Sequence, residues 1–198
     1  MLKKPFVISV SAGAAGSGKT TIVGALKERL GKCAVLYFDE YGDAVDVGRD
    51  INEWAADGGD WDEWNFEPIV TDIERLLKEQ HGYIVLDIPC GRRNALVEKY
   101  IDLAVCVDTP LDVALARRII RDYTSRSQES EFGISDVSEV SLAGVDKELR
   151  WYLEHSRPTY VGAAERIIKT CDLVVDGMKA VKEIVGEIVV HMEMMVKK

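Results

Sequence analysis

The chain of 198 residues has only four cysteines, at 33, 90, 106 and 171, and no two of them form a C-x-x-C pair. That scatter argues against a disulfide scaffold and a zinc ribbon, and predicts reduced thiols in strand-like runs. Its three histidines, His81, His155 and His191, share no metal-ligand spacing. No apolar run approaches the roughly 20 residues of a membrane span, and the apolar stretch near the N-terminus is too short for a signal peptide. Positive charge is also scarce. With 25 basic against 34 acidic residues the formal charge is −9, which argues against a nucleic-acid or anionic-membrane surface. A hydrophobic content of 47% and a charged content of 30% suit a soluble, cytoplasmic domain with a sizeable core.

What is present is concentrated near the start. An apolar run, Val7 to Val10, leads into Gly13-Ala14-Ala15-Gly16-Ser17-Gly18-Lys19-Thr20, followed by Thr21 and a helical pattern. The octet fits G-x-x-x-x-G-K-[ST], the phosphate-cradling P-loop. Glycines let successive backbone N–H groups point at one spot, and the helix behind adds its positive end. Lys19 then reaches the β- and γ-phosphates of ATP, and the Thr20 hydroxyl completes the shell of Mg²⁺.

Apolar runs of strand length recur at Phe6–Val10, Cys33–Phe38, Tyr83–Ile88, Leu103–Val107 and Leu173–Val175. Between them lie helical patterns at 18–30, 68–77, 95–100, 110–123 and 180–195, and one at 140–168 interrupted near Pro158. Strands alternating with helices predict a three-layer α/β fold of the P-loop NTPase type: five parallel strands with helices on both faces. Nothing in residues 1–198 marks a linker, so one domain is expected. Ligands in such folds sit beyond the carboxyl ends of the strands, which puts Asp39, Asp87 and Asp108 on the rim with the P-loop.

Asp87 closes Tyr-Ile-Val-Leu-Asp, a Walker B pattern, and is expected to hold Mg²⁺ directly or through water. Asp39 closes the second strand and is the better placed base for an attacking hydroxyl, with Glu40 as its neighbour and rival. Arg117, Arg118 and Arg121 share a helix that leads into a serine-rich stretch containing Arg126, a pattern that suits a lid over phosphates spanning roughly 117–140. The acidic segment 45–66, with Trp54, Trp61 and Trp64, reads as a short helix and loop; these tryptophans are either core or the wall of a cleft. Arg92 and Arg93 follow the third strand as surface charges, or as an extra anion site for a substrate that already bears phosphate.

Together these residues resemble the uridine kinase and phosphoribulokinase group of P-loop kinases over most of the chain. The resemblance is carried by Gly13–Thr20, by Asp39-Glu40-Tyr41, by Asn65-Phe66-Glu67-Pro68, and by Val107-Asp108-Thr109-Pro110 with Leu115 to Asp122. It implies an ATP- and Mg²⁺-dependent kinase acting on the hydroxyl of a nucleoside or other sugar-like small molecule. It also implies that Asp39, Tyr41, Glu67 and Arg118 meet the acceptor and that Arg121 and Arg126 hold phosphates from the lid. The sequence departs from the group in two ways. Glu67 stands for an aspartate, without the histidine that precedes the proline. Only residues 69–82 separate Pro68 from the third strand, where the uridine kinases carry their base-gripping segment. A nucleotide-binding regulatory protein with slow hydrolysis is the alternative from another class. The pattern leaves oligomeric state undetermined.

Overall fold

A computed structural model describes residues 4–123 and 138–196, with backbone alone at 138–141. Five strands, β1 (Phe6–Ala12), β2 (Cys33–Tyr37), β3 (Tyr83–Asp87), β4 (Leu103–Asp108) and β5 (Leu173–Asp176), form one sheet in the order β2-β3-β1-β4-β5. Every pairing is parallel. The expected five-stranded parallel sheet is therefore present, with β1 at its centre.

The strands are apolar on both faces because both faces are covered. Ile8, Val10, Val85, Val105 and Val107 point to one side. There they meet α1 (Lys19–Leu30) through Ile22, Val23 and Leu26, and α9 (Val181–Val196) through Ile184, Val185, Ile188 and Val189. Val7, Ile84, Leu86 and Ala104 point to the other. They meet α3 (Glu67–Leu76) through Ile69, Val70, Ile73 and Leu76, and α4 (Ala95–Glu98) through Val97. The apolar spacing on α3 and α9 is the one-sided stripe of a helix lying on a sheet.

The remaining helices surround the carboxyl ends of the strands. They are α2 (Ile51–Ala56), α5 (Leu111–Tyr123), α6 (Ser138–Trp151), α7 (Arg157–Tyr160) and α8 (Ala163–Ile168). Two features differ from the periodicity. The expected break near Pro158 falls instead after it, at Val161 and Gly162. Pro158 lies just past a π-helical turn, at the start of α7, and Gly162 turns the chain with φ 77°. Between α6 and α7 the helix widens into a π-helical turn over Tyr152–Ser156. Most of the expected lid, and Arg126 with it, lies outside the described residues. None of the described helices is long and apolar enough to cross a membrane.

Candidate active site

The segment from Gly13 to Gly18 links the end of β1 to the start of α1. Gly16 and Gly18 have φ of 89° and 90°, conformations that a side chain rarely tolerates. At Gly16 there is also no room, since an added Cβ would lie 2.2 Å from the Ala114 carbonyl oxygen of α5. The loop is held from within and from the side. Ser17 donates its hydroxyl to the Ala14 carbonyl at 2.8 Å, and Thr109, just past β4, donates to the Ser17 carbonyl at 3.0 Å. No side chain caps α1, so its first amides are available to an anion.

Lys19 opens α1, and its ammonium is ion-paired with Oδ1 of Asp87, the last residue of β3. Asp87 is 2% exposed, so the pair lies on the floor of the site. Burial lowers the Lys19 pKa to about 8, with the Asp39 carboxylate acting against that shift. Asp39 lies just past β2, in a 3-10 turn over Phe38–Ala44.

Lys19, Asp39 and the P-loop all face one cavity of about 770 Å³. Its far wall is the acidic segment. Trp54 and Trp61 meet edge to face with centroids 5.0 Å apart, and Trp61 and Trp64 lie 5.1 Å apart. This cluster is fixed by polar ties: Trp54 Nε1 donates to the Asp60 carbonyl at 2.7 Å, and Asn94 Nδ2 donates to the Trp61 carbonyl at 2.8 Å. All three tryptophans line the cavity, so they are wall as well as core. Arg117 and Arg121 close it on the α5 side, and Tyr160 and Arg166 on the α7–α8 side.

The expected site residues divide into two sets. Gly13 to Thr21, Asp39 and Arg121 line the cavity together, and Asp87 lies beneath Lys19. Arg121 meanwhile pairs with Asp122 at 2.5 Å. Glu40, the rival of Asp39, does not line the cavity. Nor do the three residues that the resemblance assigned to the acceptor alongside Asp39. Tyr41 donates its hydroxyl to Asp72 at 2.8 Å, an anchor to α3. Glu67 is exposed at the start of α3. Arg118 pairs with Glu148 of α6 at 2.9 Å. Arg92 is likewise structural, bonded to the Ile101 carbonyl at 2.6 Å and to Asp172 at 2.7 Å.

Residues outside the expected set complete the chamber. Arg166 and Tyr160 are brought in because α8 returns over the P-loop, where a Cβ on Gly13 would lie 2.7 Å from the Ala164 nitrogen. Nothing in the local pattern around 160–166 signals that return. Arg93, next to Arg92, also lines the cavity.

For Mg²⁺ the donor set suits an ion that keeps water and phosphate ligands. Thr20 lines the cavity and Asp87 supplies a carboxylate beside Lys19, while the described residues hold no cluster of three or more His, Cys, Asp or Glu.

A family model described as an AAA domain matches residues 11–139. A uridine kinase of Halobacterium salinarum is 27% identical over 155 residues, covering 66% of this chain and 68% of that protein. An uncharacterized protein from Eubacterium ventriosum, 13% identical, has a TM-score of 0.51, with 96% of this chain and 99% of that chain covered. A shikimate kinase from Aquifex aeolicus, 16% identical, has a TM-score of 0.48, with coverages of 95% and 96%.

Proposed function

The chain belongs to the AAA-domain family, and on that premise we propose that it is a single-domain, cytosolic, ATP-dependent kinase for the hydroxyl group of a small molecule. One observation carries the reading: a carboxylate without a hydrogen-bonding partner among the described residues, Asp39, opens onto the same cavity as the P-loop and Lys19. A protein that only senses a nucleotide has no need of that carboxylate or of an aromatic chamber beside it.

The roles follow from chemistry. The amides of Gly13 to Lys19 and the Lys19 ammonium bind the β- and γ-phosphates of ATP and offset the charge that develops there. Displacing Lys19 toward the phosphates frees Asp87. Thr20 and Asp87 would then hold Mg²⁺, which when bound neutralises charge on the phosphate oxygens. Asp39 orients the acceptor hydroxyl and takes its proton as the oxygen bonds to the γ-phosphorus and the bond to ADP breaks. Arg121, freed from Asp122, and Arg126 would stabilise the transferring group. The tryptophan wall excludes water, which otherwise competes as acceptor.

The test is ADP release from MgATP by the purified chain, first alone and then with nucleosides, sugars, hydroxy acids and sugar phosphates, with Lys19→Ala as the blank. Acceptor-dependent release is expected. Slow release indifferent to every acceptor would replace this reading with the regulatory one.

A further inference from the structure

Among the described residues three arginines of the chamber have no acidic partner; Arg117 instead donates to the Gly177 carbonyl at 3.2 Å, which leaves Arg93 and Arg166. Arg93 lies in the turn after β3, where its backbone N–H donates to the Cys90 carbonyl at 3.1 Å. Arg166 lies on α8, distant in sequence. Both line the cavity and both are half-buried. Among the described residues neither has a carboxylate within ion-pairing distance. Most other arginines do: Arg49, Arg75, Arg92, Arg118, Arg121 and Arg150 each have an acidic partner.

The nearby acids are committed elsewhere. Asp60 accepts from the Asp62 amide at 3.0 Å, and Asp62 accepts from the Ala95 amide at 2.7 Å. Arg93 donates only to the Gly59 carbonyl, at 3.3 Å. Arg166 Nε is buried with no hydrogen-bond partner among the described residues. The Arg166 charge also reaches Arg93. Burial first, and then the charge of Arg166, depress the Arg93 pKa. The charges of Asp60 and Asp62 offset part of this, but among the described residues neither acid pairs with a guanidinium, and two like charges held half-buried cost stability unless an anion joins them.

We propose that Arg93 and Arg166 form an anion subsite for the acceptor, so that the molecule phosphorylated carries a carboxylate or a phosphate besides its hydroxyl. This rests on the kinase reading. The planar, forked guanidinium suits both oxyanions, and two of them can take one group in bidentate fashion. The subsite shares the cavity with Asp39 and the tryptophans, while the P-loop supplies Lys19 and its amides for ATP. An acceptor anchored there by its anion can turn a hydroxyl toward Asp39, with its apolar face against the Trp54 and Trp61 wall.

The test has two arms. In the first, the full chain is saturated with Mg²⁺ and a non-hydrolysable ATP analogue, which fills the γ-phosphate position. Inorganic phosphate and acetate are then titrated separately by calorimetry. At least one anion is expected to bind, about ten- to a hundredfold more weakly in the Arg93→Gln, Arg166→Gln double variant, with affinity for the analogue unchanged. Absence of anion binding to the wild-type chain, equal binding to the double variant, or loss of analogue affinity instead would overturn the subsite. Thermal unfolding of the double variant checks that it is folded, and the single variants serve if it is not.

The second arm compares neutral alcohols with phosphorylated and carboxylated alcohols as acceptors, which separates the two anion sources. Turnover is expected for the anionic set, with an acceptor KM raised about tenfold or more by either substitution and an ATP KM left unchanged. Anion binding in the first arm without turnover of any acceptor would defeat the kinase reading and leave the subsite standing. Turnover of neutral alcohols at equal efficiency would do the reverse.

Discussion

Lys19 and Asp87 are ion-paired across the floor of the cavity, which joins the first residue of α1 to the last residue of β3. In the absence of nucleotide each holds the other: the lysine neutralises a nearly inaccessible carboxylate, and the carboxylate keeps the lysine from its phosphate-binding position. On the proposed function, ATP binding is expected to exchange this pair for a lysine–phosphate contact.

Removing one partner strands the other. Lys19→Ala leaves Asp87 buried without its cation, and is expected to lower stability by about 3 kcal/mol at pH 7. Replacing both, as Lys19→Met with Asp87→Leu, is expected to recover most of that loss, because apolar groups of similar volume need no counter-charge. Urea unfolding measures both. A single variant as stable as the wild type would show that the pair contributes nothing.

The lowered pKa of Lys19 sets a pH dependence. Below about pH 8 the folded chain bears the full cost of keeping this lysine charged in a buried place. Between about 8 and the ordinary value of 10.5 the unfolded chain holds a proton that the folded chain has released. This group therefore makes stability rise with pH across that window. Nucleotide binding has the opposite sign, since phosphates favour the charged lysine. Affinity for MgATP is expected to fall above about pH 8, by up to about tenfold per pH unit. Nucleotide titrations from pH 7 to 10 test this, and Lys19→Arg, which stays charged, should flatten the curve.

Asp39→Asn keeps the shape of the chamber and removes the proton acceptor. Turnover is expected to drop about a hundredfold to ten-thousandfold, with ATP affinity within a factor of a few. Steady-state kinetics with the best acceptor and a direct nucleotide titration separate these effects. Unaltered turnover would remove Asp39 from its role.

Gly16→Ala is expected to destabilise the chain by about 2–4 kcal/mol and to abolish nucleotide binding. The new Cβ would meet the Ala114 carbonyl at 2.2 Å, in a backbone conformation of φ 89°. Gly186→Ala is the contrast. It lies in the exposed interior of α9 with nothing within 4 Å of the added carbon, and is expected to stabilise by about 0.5–1 kcal/mol. Thermal denaturation of the two variants compares them directly. Equal effects would mean that close approach at Gly16 is not what the glycine is there for.

Local chemistry made much of this protein legible in its sequence. Glycines between an apolar run and a helical pattern mark a loop whose backbone few other residues allow, and Gly16 and Gly18 take φ of 89° and 90° there. Runs buried on both sides mark parallel strands because both faces must be covered, and all five are present. Strand-end acids such as Asp39 and Asp87 reach one rim because parallel strands end together.

Tertiary structure alone decided which side chains meet in the chamber. The sequence left the tryptophans between core and wall, and packing edge to face put them in both roles. The family pattern gave Tyr41, Glu67 and Arg118 to the acceptor, yet Asp72 holds Tyr41, Glu148 holds Arg118, and Glu67 stands exposed outside the cavity. Arg93 and Arg166 become neighbours only because Gly162 turns α8 back over the P-loop. Periodicity reports what one element buries. Which residue of one element faces which of another depends on angles and loop paths set by the whole fold, and these leave no local trace.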